Sequence, residues 1–258
     1  MVRGLYTAYT GMVEEQRRLD ITTNNLANAA TVGYKKEGVT NQAFREMLTI
    51  KMNDASSGYV NAPIGKMSLG VKIGEVYTDY SQGSFRETGN TFDFGIEGKG
   101  FFSVAVQDKE GNESTKYTRN GNFTMDSLGY VVDSEGNRLL GKDGYVQIPL
   151  DAADISVDSA GNLYSNEMFL DQLDIADFED YDYMAKYGDN FYDALEGAAR
   201  IDSTATIHQG VTEQSNVSAV TEMVQMINIT RAYEANQKVI STVDSMIDKA
   251  VNSVGVVR

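Results

Sequence analysis

A stripe of apolar residues near the C-terminus constrains this chain more than any other feature. Met226, Ile229, Tyr233, Asn236, Ile240, Val243, Ile247, Ala250 and Val254 are spaced alternately by three and four, and only Asn236 interrupts the series. That spacing puts every member on one face of an α-helix, and such a seam wants another helix against it. The helix is predicted over residues 217–254. At 1.5 Å per residue it is roughly 57 Å long, more than a small globular body can cover. The N-terminus supplies a partner. Leu5, Tyr9, Met12, Gln16, Leu19, Thr23 and Leu26 follow the same spacing in a helix expected over residues 3–28. Gln16 and Thr23 weaken that stripe when it stands alone in water. Ala8, Ala27, Ala29 and Ala30 let a neighbouring backbone come close, and Gly33 is expected to stop the helix in a left-handed conformation.

The charge is unevenly placed. The net charge is −15, yet residues 1–52 carry seven Lys/Arg against five Asp/Glu and residues 217–258 carry four of each, so the middle holds about −17. A body that acidic repels phosphate backbones and anionic lipid heads, which excludes nucleic acid as a partner. The near-neutral ends can approach copies of themselves. The chain has no Cys, so disulfides and thiolate chemistry are excluded. No window reaches the length of an apolar membrane span, and the charges from Glu14 to Arg18 interrupt any signal-peptide core.

Between the ends the pattern is β. Residues 35–84 read as an extended region dependent on its neighbours, with a short helix suggested by Phe44, Met47, Leu48 and Ile50. A turn-rich excursion over residues 53–65 and a strand at Leu69, Val71, Ile73 and Val76 follow. From Phe85 onward short alternating segments are punctuated by Asp126-Ser-Leu-Gly129, Asp133-Ser-Glu-Gly136 and Asp158-Ser-Ala-Gly161. In each, the Asp can cap its own turn and the Gly can supply positive φ. Gaps this short admit hairpins and no crossover helices, so the sheet is expected to be antiparallel. Residues 171–196 hold nine Asp/Glu against one Lys, interleaved with aromatics, and read as a solvated surface with aromatic anchors beneath.

Little here suggests chemistry. His208 is the only histidine, so a His pair or zinc site is unavailable. Gly98-Lys-Gly100 lacks the remaining glycines and the helix of a phosphate loop, and reads as a tight turn. The Asp-Gly turns lack the closing Glu of a calcium loop. No catalytic, cofactor or metal residue is assigned, and the chain is expected not to be an enzyme.

The ends also carry a signature. Leu5-Tyr-Thr-Ala-Tyr-Thr-Gly-Met12, Asn24-Asn-Leu-Ala-Asn28 and Thr31-Val-Gly-Tyr-Lys35 resemble the N-terminal motif of the flagellar basal-body rod and hook family, FlgG/FlgF type. Gly210-Val-Thr-Glu-Gln-Ser-Asn-Val217 and Arg231-Ala-Tyr-Glu-Ala-Asn236 resemble its other end. Gln82-Gly83-Ser84, Ile96-Glu-Gly-Lys-Gly-Phe-Phe102 and Tyr117-Thr-Arg-Asn-Gly-Asn-Phe123 match the rod type in the middle. Ala29-Ala30 departs from the family's usual branched or polar pair.

The resemblance implies a structural subunit of the rod, part of the axial drive shaft for motility. It would be exported by the flagellar type III apparatus and would contact its own copies and other rod or hook subunits. The fold class expected is mixed α/β with segregated elements: long terminal helices in a coiled-coil-like layer and a central antiparallel β-rich domain. The division expected is an N-terminal axial helix (1–34), an extended linker (35–84), a β-rich body (85–208) and a C-terminal axial helix (209–258). The expected assembly interface is Leu5, Met12, Leu19, Asn24, Asn25, Leu26 and Asn28 with Met226, Ile229, Tyr233, Asn236, Ile240, Val243 and Ile247. Asn25, Asn28 and Asn236 are expected to hydrogen-bond across helices and set register. Length and motif content lean towards the distal rod over the proximal. The alternatives are a proximal-rod or hook-basal-body relative, or a non-flagellar surface β-protein with a helical oligomerisation stalk. A glycan-modifying enzyme ranks below both.

Overall fold

Both apolar stripes form helices, α1 (Val2–Ala27) and α2 (Ala219–Lys249), the latter continuing as a π-helical turn over Ala250–Val254. The computed structural model describes residues 2–52, 61–107, 111–152, 154–166, 168–188 and 190–254, which fall into two units. The first comprises residues 1–27, 37–78 and 218–258, and the second residues 28–36 and 79–217.

In the first unit α1 and α2 pack antiparallel. A Cβ on Gly11 would stand 3.1 Å from Asn236 Nδ2, while Gln16 and Leu19 line one cavity with Thr230 and Tyr233 further along. The missing side chain at Gly11 is what lets Asn236 seat on α1. The unit is completed by β1 (Glu37–Ala43) and, after it, β2 (Met47–Met52), β3 (Asn61–Met67) and β4 (Val71–Thr78). β1 pairs with β4 and β2 with β3, both antiparallel and each with one register shift. The short helix expected around Phe44–Ile50 is therefore a strand. The apolar residues at 44, 47, 48 and 50 fit either period, and backbone pairing with β3 decides in favour of the strand. The excursion read into residues 53–65 lies outside the described residues up to residue 60, and its remainder belongs to β3.

The second unit is the β-body, and every strand pair among its described residues is antiparallel, as expected. It opens with β5 (Phe85–Glu87), β6 (Phe94–Glu97), β7 (Phe101–Gln107) and β8 (Glu113–Thr118). β7 is central: it pairs with β8 on one side, with Arg138–Gly141 on the other, and with Ile175–Phe178 at its start. Consecutive residues of a strand point to opposite faces. Phe102 and Val104 accordingly enter one core with Phe94, Ile96, Leu139 and Leu163, while Phe101 enters a second with Phe178 and Tyr192. The three Asp-x-x-Gly turns form as read. Gly129, Gly136 and Gly161 have φ of 83°, 88° and 83°, and each donates its N–H to the Asp carbonyl at 2.9, 3.1 and 2.8 Å.

Candidate functional site

The covered face of α2 coincides with its apolar stripe. Met226, Tyr233, Asn236, Ile240, Val243 and Ile247 are partly buried and Ile229 is buried; between 219 and 252 only Ala219, Glu222, Ala232 and Ala250 join them. The side chain of Val254 lies outside the described residues. On α1 the stripe is displaced. Leu5, Met12, Leu19 and Leu26 are partly buried and Tyr9, Gln16 and Thr23 are exposed, while the fully buried positions are Ala8, Glu14, Thr22 and Asn25, with Thr10, Gly11, Glu15, Arg18 and Ile21 partly covered beside them. The cause is that α1 has two neighbours, with α2 on one side and the β1–β4 pair on the other. Small or hydrogen-bonding residues occupy the crowded flank, and the bulky Tyr9 turns outward.

The asparagines fall in different places. Asn25 is buried and clasps the start of β1, donating Nδ2 to the Glu37 carbonyl at 2.8 Å and accepting the Glu37 N–H at 3.0 Å. Asn28 follows the helix and accepts from the Thr31 hydroxyl at 3.1 Å. Asn24 is exposed on α1, and Asn236 packs on Gly11. With the seam occupied inside the unit, the outward surface of the helix pair is still apolar. Tyr6, Tyr9, Val220, Met223, Val224 and Ile227 are all exposed.

In the second unit, five of the signature motifs meet at a buried ion triad. Glu213 is 1 % exposed; its Oε1 accepts from Lys35 Nζ at 2.7 Å and from the Gly83 N–H at 2.9 Å, and its Oε2 faces Arg119 Nη1 at 3.3 Å. Lys35 also donates to the Ser81 carbonyl at 2.8 Å, and Arg119 Nη2 to the Gly98 carbonyl at 2.7 Å. Burial pushes the Lys35 ammonium below the ordinary lysine pKa, and the Glu213 charge opposes that shift. Two glycines make the approach possible. A Cβ on Gly83 would lie 1.9 Å from the Gln214 carbonyl oxygen, and one on Gly33 would lie 2.4 Å from the Asn120 nitrogen. Gly33 is left-handed, at φ 71°, but α1 has already ended at Ala27. Its conformation serves this close packing rather than the helix stop expected of it.

The triad is a clamp that fixes fold, and it offers no reactive group to solvent. His208 is exposed and pairs with Glu97 through Nε2 at 2.6 Å. Among the described residues no group of three or more His, Cys, Asp or Glu could hold a metal. Within 171–196, Phe178, Phe191 and Tyr192 are buried as anchors, whereas Tyr183 and Tyr187 are exposed. Two acids expected in water are buried instead: Asp171, which accepts the Gln172 N–H at 2.7 Å, and Asp177, which accepts the Tyr181 hydroxyl at 2.6 Å.

Sequence reasoning missed the triad, whose members lie up to 178 positions apart. The available signal was that three quoted motifs each carry a single charge, two positive and one negative. Comparison with known proteins covers the same segments. Residues 5–35 match the family described as flagella basal body rod protein, residues 95–165 the flagellar hook protein FlgE/F/G D1 domain, and residues 208–253 the flagellar basal body rod FlgEFG protein C-terminal region. The chain is 33 % identical to the flagellar basal-body rod protein FlgG of Bacillus subtilis, over 98 % of this chain and 99 % of that one. It is 32 % identical to the flagellar basal-body rod protein FlgF of Caulobacter vibrioides and 30 % to the flagellar hook-basal body complex protein FlhO of Bacillus subtilis, each over 99 % of both chains.

Proposed function

The chain belongs to the flagellar basal-body rod protein family, and from that premise we propose that it is a structural subunit that polymerises through its terminal helices into the axial rod. The observation that carries this reading is the outward surface of the helix pair. Even with α1 and α2 packed together, Val220, Met223, Val224 and Ile227, which share one face of α2, are 69, 46, 53 and 53 % exposed. Apolar surface on that scale marks an interaction site.

In this reading the terminal helices, with the strands of their unit, form the axial layer, and residues 28–36 and 79–217 form the body. The partners are copies of the chain, other rod or hook subunits, and the type III export apparatus that delivers it beyond the cytoplasmic membrane. The fourteen interface residues divide in role: those on the seam hold the helix pair in a shape that its outer surface can present. Replacing Ile240 or Ile247 with Asp places an unpaired carboxylate in that seam, at a cost of several kcal/mol. Cells carrying Ile240→Asp should be non-motile and make no rod, while circular dichroism of the purified chain retains the β signal of the body. Normal rods in those cells would refute the assignment.

A further inference from the structure

The helical unit also holds an apolar groove of 490 Å³ between α1 and the strands, lined by Tyr9, Val13, Ile21, Phe44, Ile73 and Val76. One carboxylate oxygen in its lining lacks a hydrogen bond. Glu14 is 5 % exposed, and its Oε1 has no hydrogen-bond partner among the described residues. Arg18 comes no nearer to it than 3.8 Å through Nε, and its Nη1 is held by both oxygens of Glu15 at 3.2 and 3.1 Å. Arg17 and Lys72 line the groove too, both exposed, and neither forms an ion pair with Glu14. With only that loose ion pair to Arg18, Oε1 keeps a hydrogen-bonding position open to an incoming cationic donor.

The outward face of α2 carries the complement. Val220, Met223, Val224 and Ile227 recur at helical spacing and are exposed, and one turn later Arg231 continues the stripe, exposed and without an ion-pair partner among the described residues. The ridge from Val220 to Arg231 is about 16 Å long. We propose that this ridge of one copy docks in the groove of another, with Arg231 donating to Glu14. The proposal rests on the reading of the chain as a polymerising subunit. Ridge and groove are different surfaces of one chain, so a copy that engages a different neighbour through each makes heterologous contacts, the kind that builds a filament.

The absence of cysteine from the chain makes the test direct. Val76→Cys and Ile227→Cys alter half-exposed positions, and the two singly substituted chains are co-expressed in cells lacking the unsubstituted copy. Treating purified basal bodies with a short bis-maleimide should cross-link the two chains. Pairing Val76→Cys with Met246→Cys, about 28 Å beyond Ile227 on the same helix, should give none. Basal bodies that contain both thiol variants without a cross-link overturn the docking and leave the proposed function standing. Absence of the unsubstituted chain from basal bodies overturns both.

Where a thiol variant fails to incorporate, the charge pair decides in purified full-length chain. Glu14→Gln and Arg231→Gln should each raise the critical concentration for assembly about tenfold, the worth of one charge-assisted hydrogen bond. The double substitution should raise it no further. Independent, multiplying effects would overturn the pairing.

Discussion

Glu213→Gln removes one charge from the space shared by Lys35 and Arg119 and changes almost nothing else. The native carboxylate is held at 2.7 Å by Lys35 and at 3.3 Å by Arg119, and the side chains of the three residues are 1, 1 and 4 % exposed, so water cannot take its place. Taking one partner from a buried ion pair costs about 3–5 kcal/mol. The lysine sets a ceiling on its share. It can shed its proton, which for a group of ordinary pKa 10.5 costs about 5 kcal/mol at pH 7. Arg119 has no such escape. Guanidinium unfolding of the full chain, followed by far-ultraviolet circular dichroism, should therefore show a loss of about 3–5 kcal/mol. With a slope of roughly 3–5 kcal/mol per molar denaturant, the midpoint falls by about 1 M.

Two controls sharpen the reasoning. Lys35→Met should cost less, because Glu213 keeps Arg119 and the Gly83 N–H. Adding Lys35→Met to Glu213→Gln should recover part of the loss, since one buried cation then remains instead of two. The Glu213→Gln deficit should also shrink as pH rises from 7 towards 9.5. Burial holds the folded Lys35 pKa below its unfolded value and the Glu213 charge opposes that shift, so Glu213→Gln lowers it further and the substituted chain gains more stability than the unsubstituted one as pH rises across that window. A Glu213→Gln chain within about 1 kcal/mol of the unsubstituted one, or a double substitution worse than the two singles combined, would refute the triad as the clamp of this unit.

Three further outcomes are expected. Gly83→Ala should lower stability by roughly 1–3 kcal/mol in the same unfolding assay, because its Cβ would stand 1.9 Å from the Gln214 carbonyl oxygen. Asn25→Ala removes two hydrogen bonds to Glu37 and should cost about 1–3 kcal/mol, with faster amide exchange at Glu37; unchanged exchange there would contradict the clasp. Burial raises the pKa of Tyr117, and burial with the Asp177 hydrogen bond raises that of Tyr181. Their stabilising contribution is full below about pH 10 and declines as pH rises towards their folded values, so in ultraviolet titration Tyr117→Phe and Tyr181→Phe should each remove a tyrosine that ionises above the ordinary range.

The parts of the fold set by local pattern were legible in the sequence. The α2 stripe needs only one neighbour, so its three-four spacing marks the covered face residue by residue. The Asp-x-x-Gly turns likewise carry their geometry in four consecutive residues. Features set by several neighbours were not legible. α1 lies against both a helix and strands, and its covered face is wider than one stripe, taking in Glu14, Ile21 and Asn25. Met47–Met52 satisfies helix and strand periods equally well, and its partner strand decided between them. The ion triad joins residues whose only common property in sequence is membership of separate motifs, and no spacing rule connects Lys35 to Glu213.

The central claim is that this chain is a subunit of the flagellar rod, built in through its terminal helices. Basal bodies purified from cells whose only copy carries an electron-dense label in the β-body, and imaged by electron microscopy, test it most directly. The account predicts label on the rod, between the cytoplasmic membrane and the hook, and no rod-borne label when Ile240→Asp is added to the same copy. Complete, motile basal bodies without label on the rod would contradict it.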